Sequence, residues 1–568
     1  MPQEINIVIG GEAGQGLVTI GQLLSKVLVR AGCEIFISQS YHSRIRGGHN
    51  TFAIRTGTIP FHAPRQAIDL LVALNEESVA LHQSELAAGG LIIADAAFAP
   101  DAAAAVAVPF AELGPEKFWN TAALGLIGSI LGLPADLLFQ AIEELLGAKH
   151  PETLAANREV LDRSCQWAAE RIKGHHFKLA DSRAAAERLM LNGNEAIALG
   201  ALAGGLKFCA FYPMTPATSI VLNLIAHADA MGCVVEQAED EIAAINMAIG
   251  ASFAGAPSMV ATSGGGFALM TEGVSLAGMT ETPLLIVIAQ RPGPATGLPT
   301  RTEQGDLGFV LHSGHGEFPR ALFAPGDLES CYALTQRALA LAERCQTPVF
   351  LLTDQFLADS SRAIAPFDPE NIAPVRAGAD PGSMTAPYRR YAVTESGISP
   401  RLLPGVSEHL VVADSDEHDE EGHITEEQPV RIAMVDKRLR KFAGLRQEVL
   451  PPHHEGPADA DLLLVGWGST RGPLREAAEI LANQGRRVAT LHFTQIWPLV
   501  PEQFRDLLAT AGTVVCVEGN ATGQFARLIR QESGFSIPHQ VLRYDGLPFT
   551  ARYILDRLDH LMPKGAQP

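Results

Sequence analysis

The chain has 568 residues, and its 63 acidic side chains outnumber its 43 basic ones, which gives a formal net charge of −20 at pH 7. Such an acidic chain lacks the basic face with which a general nucleic-acid-binding protein displaces counterions, so that class is excluded. Hydrophobic residues make up 47% of the chain and charged residues 19%, which excludes a disordered protein and suits parallel sheets covered on both faces.

The first block, residues 1–178, is predicted to form an α/β domain. It opens with a short apolar strand over Ile5–Ile9, a glycine-rich turn over Gly10–Gly16 and a helix over Leu17–Ala31. Further strands are predicted at Glu34–Ser38, Thr51–Arg55, Asp69–Leu74 and Leu91–Asp95, and a pair of helices at Thr121–Leu146. Strands that alternate with helices predict a parallel sheet. The charged helical stretch Ala168–Arg188 is the predicted linker to the next block.

The second block, residues 192–380, repeats this alternation. Its predicted strands are Phe208–Tyr212, Val234–Glu236, Ser258–Thr262, Leu284–Ala289, Arg320–Phe323 and Pro348–Thr353, with helices at Asn194–Gly204 and Ala243–Phe253. Residues 381–457 lack periodicity and are predicted to be a linker or embellishment. Their acidic run Asp414–Glu427 is predicted to be a solvated loop, and the alternative is that Asp416–Asp419, with Gly422 and His423, lines a subunit contact or binds a cation. Residues 459–568 form a further small α/β unit. The predicted architecture is therefore three α/β modules in one chain.

The cysteines and the N-terminus bear on cofactors and location. The seven cysteines include no Cys-x-x-Cys pair, so we expect no iron–sulfur cluster, zinc or other metal site on this chain. The odd, scattered set also fails as a disulfide framework, which favours a cytoplasmic protein. Met1–Glu4 has no basic signal-peptide region. The uncharged stretch Ile242–Thr271 contains Asn246, Pro257 and several glycines, so we expect a buried domain centre rather than a membrane span.

Two loops of the first block carry the residues of an anion site. Gly10–Gly16 follows a strand and opens a helix, where unpaired N–H groups and the helix dipole favour a phosphate. It is neither a Rossmann fingerprint nor a P-loop, since Leu17 and Val18 stand where a P-loop has Lys and Ser or Thr. The loop Ser38–Asn50 brings arginines and histidines to the end of the next strand, at the same sheet edge. A tight βα turn and a solvated basic loop are the plainer alternatives.

Two polar features follow strands of the second block. Thr215 lies between Pro213 and Pro216, which hold its hydroxyl in place to bind a carboxylate or a carbonyl, although Thr-Pro also commonly begins a helix. Glu241 is the last charge before the uncharged stretch. A carboxylate at that position is costly to bury and is therefore a functional candidate, unless the run Glu236–Glu241 merely caps a helix.

Glycines and arginines complete the candidate site. The run Gly264–Gly266 follows the strand Ser258–Thr262 and lets a flat ligand approach the backbone. Arg291 follows the strand Leu284–Ala289, and Arg301 comes ten residues later. Either guanidinium can bind an organic carboxylate through two parallel hydrogen bonds.

In this order and spacing, the motifs resemble the 2-oxoacid:ferredoxin oxidoreductases, which depend on thiamine diphosphate. The chain is similar to an α subunit with the γ domain fused at its N-terminus, as in 2-oxoglutarate:ferredoxin oxidoreductase. Residues 1–178 resemble the γ domain, residues 192–380 the pyrimidine-binding domain and residues 459–568 a transketolase-C-like domain. Ala13 and Met214 depart from the commoner glycine and isoleucine of the family.

The resemblance implies a role for each candidate residue. Glu241 matches the catalytic glutamate that hydrogen-bonds the aminopyrimidine of thiamine diphosphate. Thr215 matches a substrate-binding threonine and Arg291 a carboxylate-binding arginine, and Arg301 is a candidate for the distal carboxylate of the substrate. The residues expected to contribute to a coenzyme A site are Gly11, Gly14, Gln15, Gly16 and Arg46.

What the sequence lacks agrees with the resemblance. It has neither the Gly-Asp-Gly…Asn pattern that holds the Mg²⁺–diphosphate end of the cofactor nor a cysteine set for a 4Fe-4S cluster. In the family both belong to a separate β subunit. The resemblance therefore implies an obligate β partner, an α2β2 assembly and ferredoxin as the electron acceptor, so that this chain alone should be inert.

The reaction implied is the oxidative decarboxylation of 2-oxoglutarate to succinyl-CoA and CO2, or the reverse reductive carboxylation. The same chemistry on pyruvate or on a branched-chain 2-oxoacid is the alternative. A non-catalytic coenzyme-binding scaffold is a second alternative, and it predicts that Glu241→Gln leaves the activity of the complex intact. A self-sufficient, transketolase-like thiamine enzyme is disfavoured because the diphosphate motif is missing.

Overall fold

The computed structural model describes residues 4–42, 47–172, 187–368, 375 and 377–561. The chain divides into two compact units. The first unit comprises Met1–Leu191, Ser360–Pro366 and Thr550–Arg552, and the second comprises Asn192–Asp359, Phe367–Phe549 and Tyr553–Pro568. Three β-sheets with helices packed on them confirm the α/β fold class. The predicted domain boundaries at residues 178, 192, 380 and 459 stay predictions.

Residues 4–192 alternate strands and helices. The strands are β1 (Glu4–Glu12), β2 (Glu34–Ser40), β3 (His49–Gly57), β4 (Ile68–Ala73), β5 (Leu86–Asp95), β6 (Ala105–Val108) and β7 (Leu189–Asn192). The helices are α1 (Leu17–Arg30), α2 (Glu76–His82), α3 (Phe110–Leu113), α4 (Trp119–Leu131), α5 (Ala135–Leu146) and α6 (Leu154–Arg171). The predicted linker helix Ala168–Arg188 thus ends at Arg171, and residues 173–186 lie outside the described residues.

Residues 193–364 follow the same pattern. The strands are β8 (Phe208–Phe211), β9 (Val234–Gln237), β10 (Ser258–Thr262), β11 (Leu284–Gln290), β12 (Ala321–Phe323), β13 (Pro348–Asp354) and β14 (Ser361–Ile364). The helices are α7 (Gly193–Ala203), α8 (Thr218–Met231), α9 (Glu241–Phe253), α10 (Gly264–Met279), α11 (Leu307–Leu311), α12 (Leu328–Cys345) and α13 (Gln355–Asp359). Each predicted strand is present to within two residues at either end.

Residues 428–561 contain the remaining elements. The strands are β15 (His453–Glu455), β16 (Leu462–Trp467), β17 (Val488–Phe493), β18 (Gln495–Trp497), β19 (Thr513–Glu518) and β20 (His539–Leu542). The helices are α14 (Gln428–Gln447), α15 (Arg471–Asn483), α16 (Arg505–Thr510), α17 (Gln524–Ser533) and α18 (Ala551–Leu561). No helix in these described ranges, or in those before them, combines the length and the apolar character needed to cross a bilayer.

The sheet of the first unit is mixed, so the prediction of a parallel sheet is wrong there. Its strand order is β6-β5-β4-β1-β3-β2-β14-β7, and β3 runs antiparallel to both β1 and β2. The reason is that the loop between β2 and β3 holds no helix in its described residues, and a connection of this kind joins antiparallel neighbours. The apolar stripe of α1 (Leu17, Ile20, Leu24, Val27 and Leu28) is buried in the core of this unit.

A seven-stranded sheet forms the centre of the second unit. Its strand order is β18-β12-β13-β11-β10-β8-β9, and every pair is parallel except β12 with β18. Every residue of β10, β11 and β13 is buried, as expected for parallel strands covered on both faces. The charge-free stretch Ile242–Thr271 supplies α9, β10 and the start of α10. The expectation of a buried centre holds for β10, whereas α9 and α10 leave Ile242, Met247 and Leu269 exposed.

A five-stranded sheet completes the second unit, with strand order β15-β17-β16-β19-β20. One hydrophobic core joins it to the seven-stranded sheet and includes Phe350, Trp467 and Phe493. Strand β18 comes from this C-terminal part of the sequence, yet it pairs with β12 of the larger sheet. The two sheets therefore share one core, although the sequence pattern separates them.

Residues 381–457 are more ordered than predicted. Helix α14 occupies the last third of this segment. In the acidic run, Glu417 accepts two hydrogen bonds from Arg438, of 3.0 and 2.9 Å. His418 is fully buried with its ring 4.0 Å from that of Tyr391. The prediction of a solvated loop is therefore wrong at Glu417 and His418, because partners outside the run neutralise the carboxylate and cover the imidazole.

Candidate active site

Four loops at one edge of the seven-stranded sheet carry the residues of the candidate site. Strands β11, β10, β8 and β9 are adjacent and parallel, so their C-terminal ends lie side by side. Thr215 follows β8, Glu241 follows β9, Gly264–Gly266 follow β10 and Arg291 follows β11. This edge is where parallel α/β sheets bind their ligands.

Glu241 is the first residue of α9 and is only 3% exposed. The helix begins there because the carboxylate of Asp240 accepts a hydrogen bond of 2.7 Å from the N–H of Ala243 and caps the first turn. In the described part of the chain, the Glu241 carboxylate has neither a hydrogen-bond donor nor an ion-pair partner. The helix dipole favours a negative charge at this position, and the carboxylate is left able to accept a hydrogen bond from a ligand.

The glycine run at the start of α10 separates two carboxyl groups. A methyl group added to Gly266 would lie 2.4 Å from Oε1 of Glu241, and one added to Gly264 would lie 2.4 Å from Oδ2 of Asp306. Gly265, between them, is exposed and meets only the carbonyl oxygen of Ala295, at 3.7 Å. Side chains would therefore clash at the two outer positions, and Gly265 leaves room for a flat group to approach.

The structure brings Arg291 and Thr215 together. Nη1 of Arg291 donates a hydrogen bond of 2.7 Å to the backbone carbonyl of Thr215. Burial lowers the pKa of the Arg291 guanidinium, and the negative charge of Asp306 opposes that shift. The guanidinium is thus a half-buried cation beside the rigid Thr-Pro loop, an environment in which a carboxylate ligand binds well.

Asp306 lies next to this cation and is absent from the sequence-based candidates. Burial raises the pKa of its carboxyl group to about 6, although the Arg291 charge opposes the shift. Its Oδ2 atom is buried and accepts no hydrogen bond from any described residue. In sequence Asp306 is an isolated acid before a five-residue helix, α11, so neither spacing nor hydropathy marks it.

The loop that carries Asp306 is anchored by Gln304. This side chain donates to the carbonyl of Trp467 at 2.9 Å and accepts from the N–H of Gly519 at 2.8 Å. Its backbone N–H donates to the carbonyl of Gly519 at 2.6 Å. Gln524 adds bonds to Gly305 and Gly308. The loop therefore fills the edge of the five-stranded sheet where a ligand would otherwise bind.

Arg301 lies on the same loop as Asp306 and precedes it in the sequence. Its backbone N–H donates to the carbonyl of Leu298 at 3.1 Å. A methyl group added to Gly546 would meet Cβ of Arg301 at 3.0 Å, so this side chain starts against the turn after β20. Its predicted role at a distal carboxylate stays a prediction.

In the first unit, the glycine-rich loop is shorter than predicted. Strand β1 continues through Gly11 to Glu12, so Gly10 and Gly11 belong to the sheet. Gln15 closes the remaining turn: its Oε1 accepts from the N–H of Glu12 at 2.7 Å, and its Nε2 donates to Leu74 at 3.2 Å. Gly14 and Gly16 adopt φ of 98° and 77°, which side-chain-bearing residues rarely adopt.

Helix α1 begins directly after this turn, and the side chain of Asn120 packs against Gly16 there. Gly16 precedes α1 and offers no side chain to cap it. Residue Glu12 pairs with His49, so the loop between β2 and β3 lies at the same sheet edge as this turn, as predicted. Arg46, the remaining coenzyme A candidate, lies outside the described residues.

Comparisons with known proteins agree with these motifs. Residues 199–437 match the family model "Pyruvate flavodoxin/ferredoxin oxidoreductase, thiamine diP-bdg", and residues 6–167 match "Pyruvate ferredoxin/flavodoxin oxidoreductase". The α subunit of 2-oxoacid:ferredoxin oxidoreductase 2 from Aeropyrum pernix is 30% identical over 99% of this chain and 98% of its own. The 2-oxoglutarate oxidoreductase subunit KorA of Mycobacterium tuberculosis is 29% identical over 96% and 90%.

A solved structure extends the similarity to the fold. The 2-oxoglutarate:ferredoxin oxidoreductase from Magnetococcus marinus, with 2-oxoglutarate, coenzyme A and succinyl-CoA bound, superposes with a TM-score of 0.92 at 32% identity. The match covers 99% of this chain and all of that chain.

Proposed function

Because the chain belongs to the 2-oxoacid:ferredoxin oxidoreductase family, as an α subunit with a γ-type domain fused at its N-terminus, we propose that it acts on 2-oxoglutarate. The products are succinyl-CoA and CO2, with electrons passed to ferredoxin, and the reverse carboxylation uses the same site. The observation that carries the proposal is the convergence of Glu241, the glycine run, Thr215 and Arg291 at one sheet edge. The names of the Mycobacterium and Magnetococcus proteins support 2-oxoglutarate as the substrate.

The residues at this edge fit the pyrimidine end of thiamine diphosphate. The Glu241 carboxylate is buried and has no hydrogen-bond partner among the described residues, and Gly265 leaves space beside it. A ring nitrogen would supply the partner that Glu241 lacks, and the ring face would lie over the glycines. When bound, thiamine diphosphate supplies the electron sink that decarboxylation of a 2-oxoacid requires.

The side chains of this chain have defined tasks in that proposal. Glu241 holds a hydrogen bond to the pyrimidine and fixes its protonation state. Arg291 binds the carboxylate of the 2-oxoacid, and its bond to the Thr215 carbonyl holds the guanidinium in place. Thr215 offers its hydroxyl to the same substrate, and Arg301 is proposed for the distal carboxylate.

The first unit is proposed to bind coenzyme A through Gly11, Gly14, Gln15 and Gly16, with Arg46 assisting. The N-terminus of α1, where Gly16 offers no capping side chain, supports this role, because the N–H groups and the dipole at a helix N-terminus favour a phosphate. The close turn made by Gln15 supports it too, since it leaves Gly14 with no atom within 4 Å of an added methyl group.

A β subunit is proposed to complete the site. The sequence has no diphosphate motif and no cluster cysteines, and all seven cysteines are free. Helices α9 and α10, which begin at the candidate site, expose Ile242, Met247 and Leu269 by 50%, 39% and 50%. Apolar side chains so exposed beside an incomplete site fit a partner surface. The proposed partner carries Mg²⁺, the diphosphate site and the 4Fe-4S cluster, in an α2β2 assembly.

The substrate is tested with the chain purified together with its β partner. Reduction of a low-potential acceptor is measured with coenzyme A and, in turn, 2-oxoglutarate, pyruvate and a branched-chain 2-oxoacid. We expect kcat/KM to be highest for 2-oxoglutarate and no turnover from this chain alone. A higher kcat/KM for pyruvate or the branched-chain acid would contradict the proposed substrate, and turnover of none of the three would contradict the proposed function.

A further inference from the structure

We propose that Asp306 binds the 2-oxoacid together with Arg291, taking up a proton from solvent as the substrate carboxylate arrives and donating it in a hydrogen bond to that carboxylate. The inference rests on the proposed function only in that the substrate is a 2-oxoacid, whichever one it is. Asp306 is not among the residues that the resemblance assigns to the site.

The backbone holds the Asp306 side chain at the candidate site. Its N–H donates to Oε1 of Gln290, at 3.1 Å, and its carbonyl accepts from Val310, at 2.9 Å. Gln290 is itself buried at the end of β11 and donates to the carbonyl of Thr353. The carboxyl group packs on Gly264. These bonds fix the backbone of Asp306 beside the glycine run.

Asp306 and Arg291 are close enough to interact, and one oxygen of Asp306 is left without a hydrogen-bond partner in the described part of the chain. The two groups influence each other electrostatically, yet within the described residues they form no ion pair. The buried Oδ2 of Asp306 also accepts no hydrogen bond from these residues. A substrate carboxylate bound to Arg291 would lie near Asp306, and two carboxyl groups that meet in this way share a proton.

The sign of the pH effect follows from the charges around Asp306. Arg291 faces it from the end of β11, Glu303 lies on its own loop, and Glu241 lies on the far side of Gly265. Burial raises the pKa of Asp306 to about 6 in the free protein, so above that pH the group is ionised. Binding must then return a proton to it. The affinity for substrate therefore falls as pH rises above about 6, by roughly tenfold per pH unit.

The test is the pH profile of kcat/KM for the complex with its β partner, between pH 5.5 and 8.5. For the unaltered enzyme we expect log(kcat/KM) to fall with a slope near −1 above pH 6, with the loss in KM rather than kcat. Asp306→Asn keeps a hydrogen-bond donor but cannot ionise. The variant should show no slope, and its kcat/KM at pH 8 should exceed that of the unaltered enzyme by about tenfold or more.

Glu303→Gln is the matched control, because it removes a neighbouring carboxylate whose pKa burial also raises. It should keep the slope. If Asp306→Asn does not assemble, Asp306→Ser removes the same titration. A flat profile for the unaltered enzyme, or the same slope in a folded Asp306 variant, would overturn the inference. Either result leaves 2-oxoacid turnover intact, whereas failure of the proposed function means no turnover at all.

Discussion

Two carboxyl groups lie on either side of Gly265, and the protein holds them in different ways. Glu241 occupies the first turn of a capped helix, where the dipole favours its charge. Asp306 sits in an irregular loop beside a half-buried arginine, and burial raises the pKa of its carboxyl group. One group is therefore suited to accept a hydrogen bond and the other to change its protonation state near neutral pH.

The space around Gly266 gives a direct check of the Glu241 position. In Gly266→Ala the new Cβ would stand 2.4 Å from Oε1 of Glu241 and 2.2 Å from Oγ1 of Thr262, so the carboxylate must shift. We expect kcat of the complex to fall roughly a hundredfold, because such displacements misalign catalytic groups. Gly444→Ala, in α14 with no atom within 4 Å of the added methyl group, should leave kcat unchanged. A Gly266→Ala enzyme with normal kcat would show that Glu241 has no catalytic task.

The site residues that follow predicted strands could be predicted from the sequence, whereas Asp306 could not. Thr215, Glu241 and Arg291 each come shortly after a predicted strand, so the rule for parallel sheets places them at one edge. Asp306 reaches the site through the bond of its N–H to Gln290 and through Gln304, which is bound by Gly519 and Trp467 far along the chain. A pattern in the local sequence cannot predict a contact between residues so far apart in the chain.

At the scale of elements, buried parallel strands were the easiest to predict. Strands β10, β11 and β13 of the seven-stranded sheet are short, largely apolar runs, and each of their residues is buried. In the first unit, the same signal could not distinguish a parallel from an antiparallel neighbour, because both produce apolar strands. Helix α14 was missed because its buried positions include Lys437, Arg438 and Lys441, which hide the apolar face.

The two buried lysines, Lys437 and Lys441, are held by Glu281, which lies just after the end of α10. Its carboxylate forms an ion pair with Lys437, at 2.6 Å, and another with Lys441, and all three side chains are almost fully buried. Although burial opposes it, the charges of Lys441, Lys437 and Arg390 lower the pKa of Glu281 to about 2. This contribution to stability is present above pH 4.5 and is lost as the pH falls towards 2.

Glu281→Gln should therefore destabilise the second unit by about 3–5 kcal/mol at pH 7, because it leaves two buried lysines without their counter-charge. Urea-induced unfolding of the complex measures this. Glu479→Gln, which breaks an exposed pair with Arg475, should cost less than about 1 kcal/mol. Equal losses for the two variants would mean that the buried ion pairs contribute no more than surface ones.

At the scale of the whole molecule, the proposal gives this chain one part of a catalytic centre and a β subunit the rest. The presence of three α/β modules could be predicted from repeated strand–helix alternation. That two of them share one core could not, because β18 and the Gln304 loop join them through contacts remote in sequence. The family relationship could be recognised from the sequence, because it rests on the order of short motifs along the chain.

The central claim is that a buried carboxylate of this chain acts on the thiamine diphosphate of a complex completed by another subunit. The most direct measurement is kcat of the Glu241→Gln complex with 2-oxoglutarate, beside Glu239→Gln, which alters an exposed acid two residues earlier. The account predicts a loss of at least about a hundredfold for Glu241→Gln and none for Glu239→Gln, with both complexes assembled. Normal turnover by an assembled Glu241→Gln complex would contradict it.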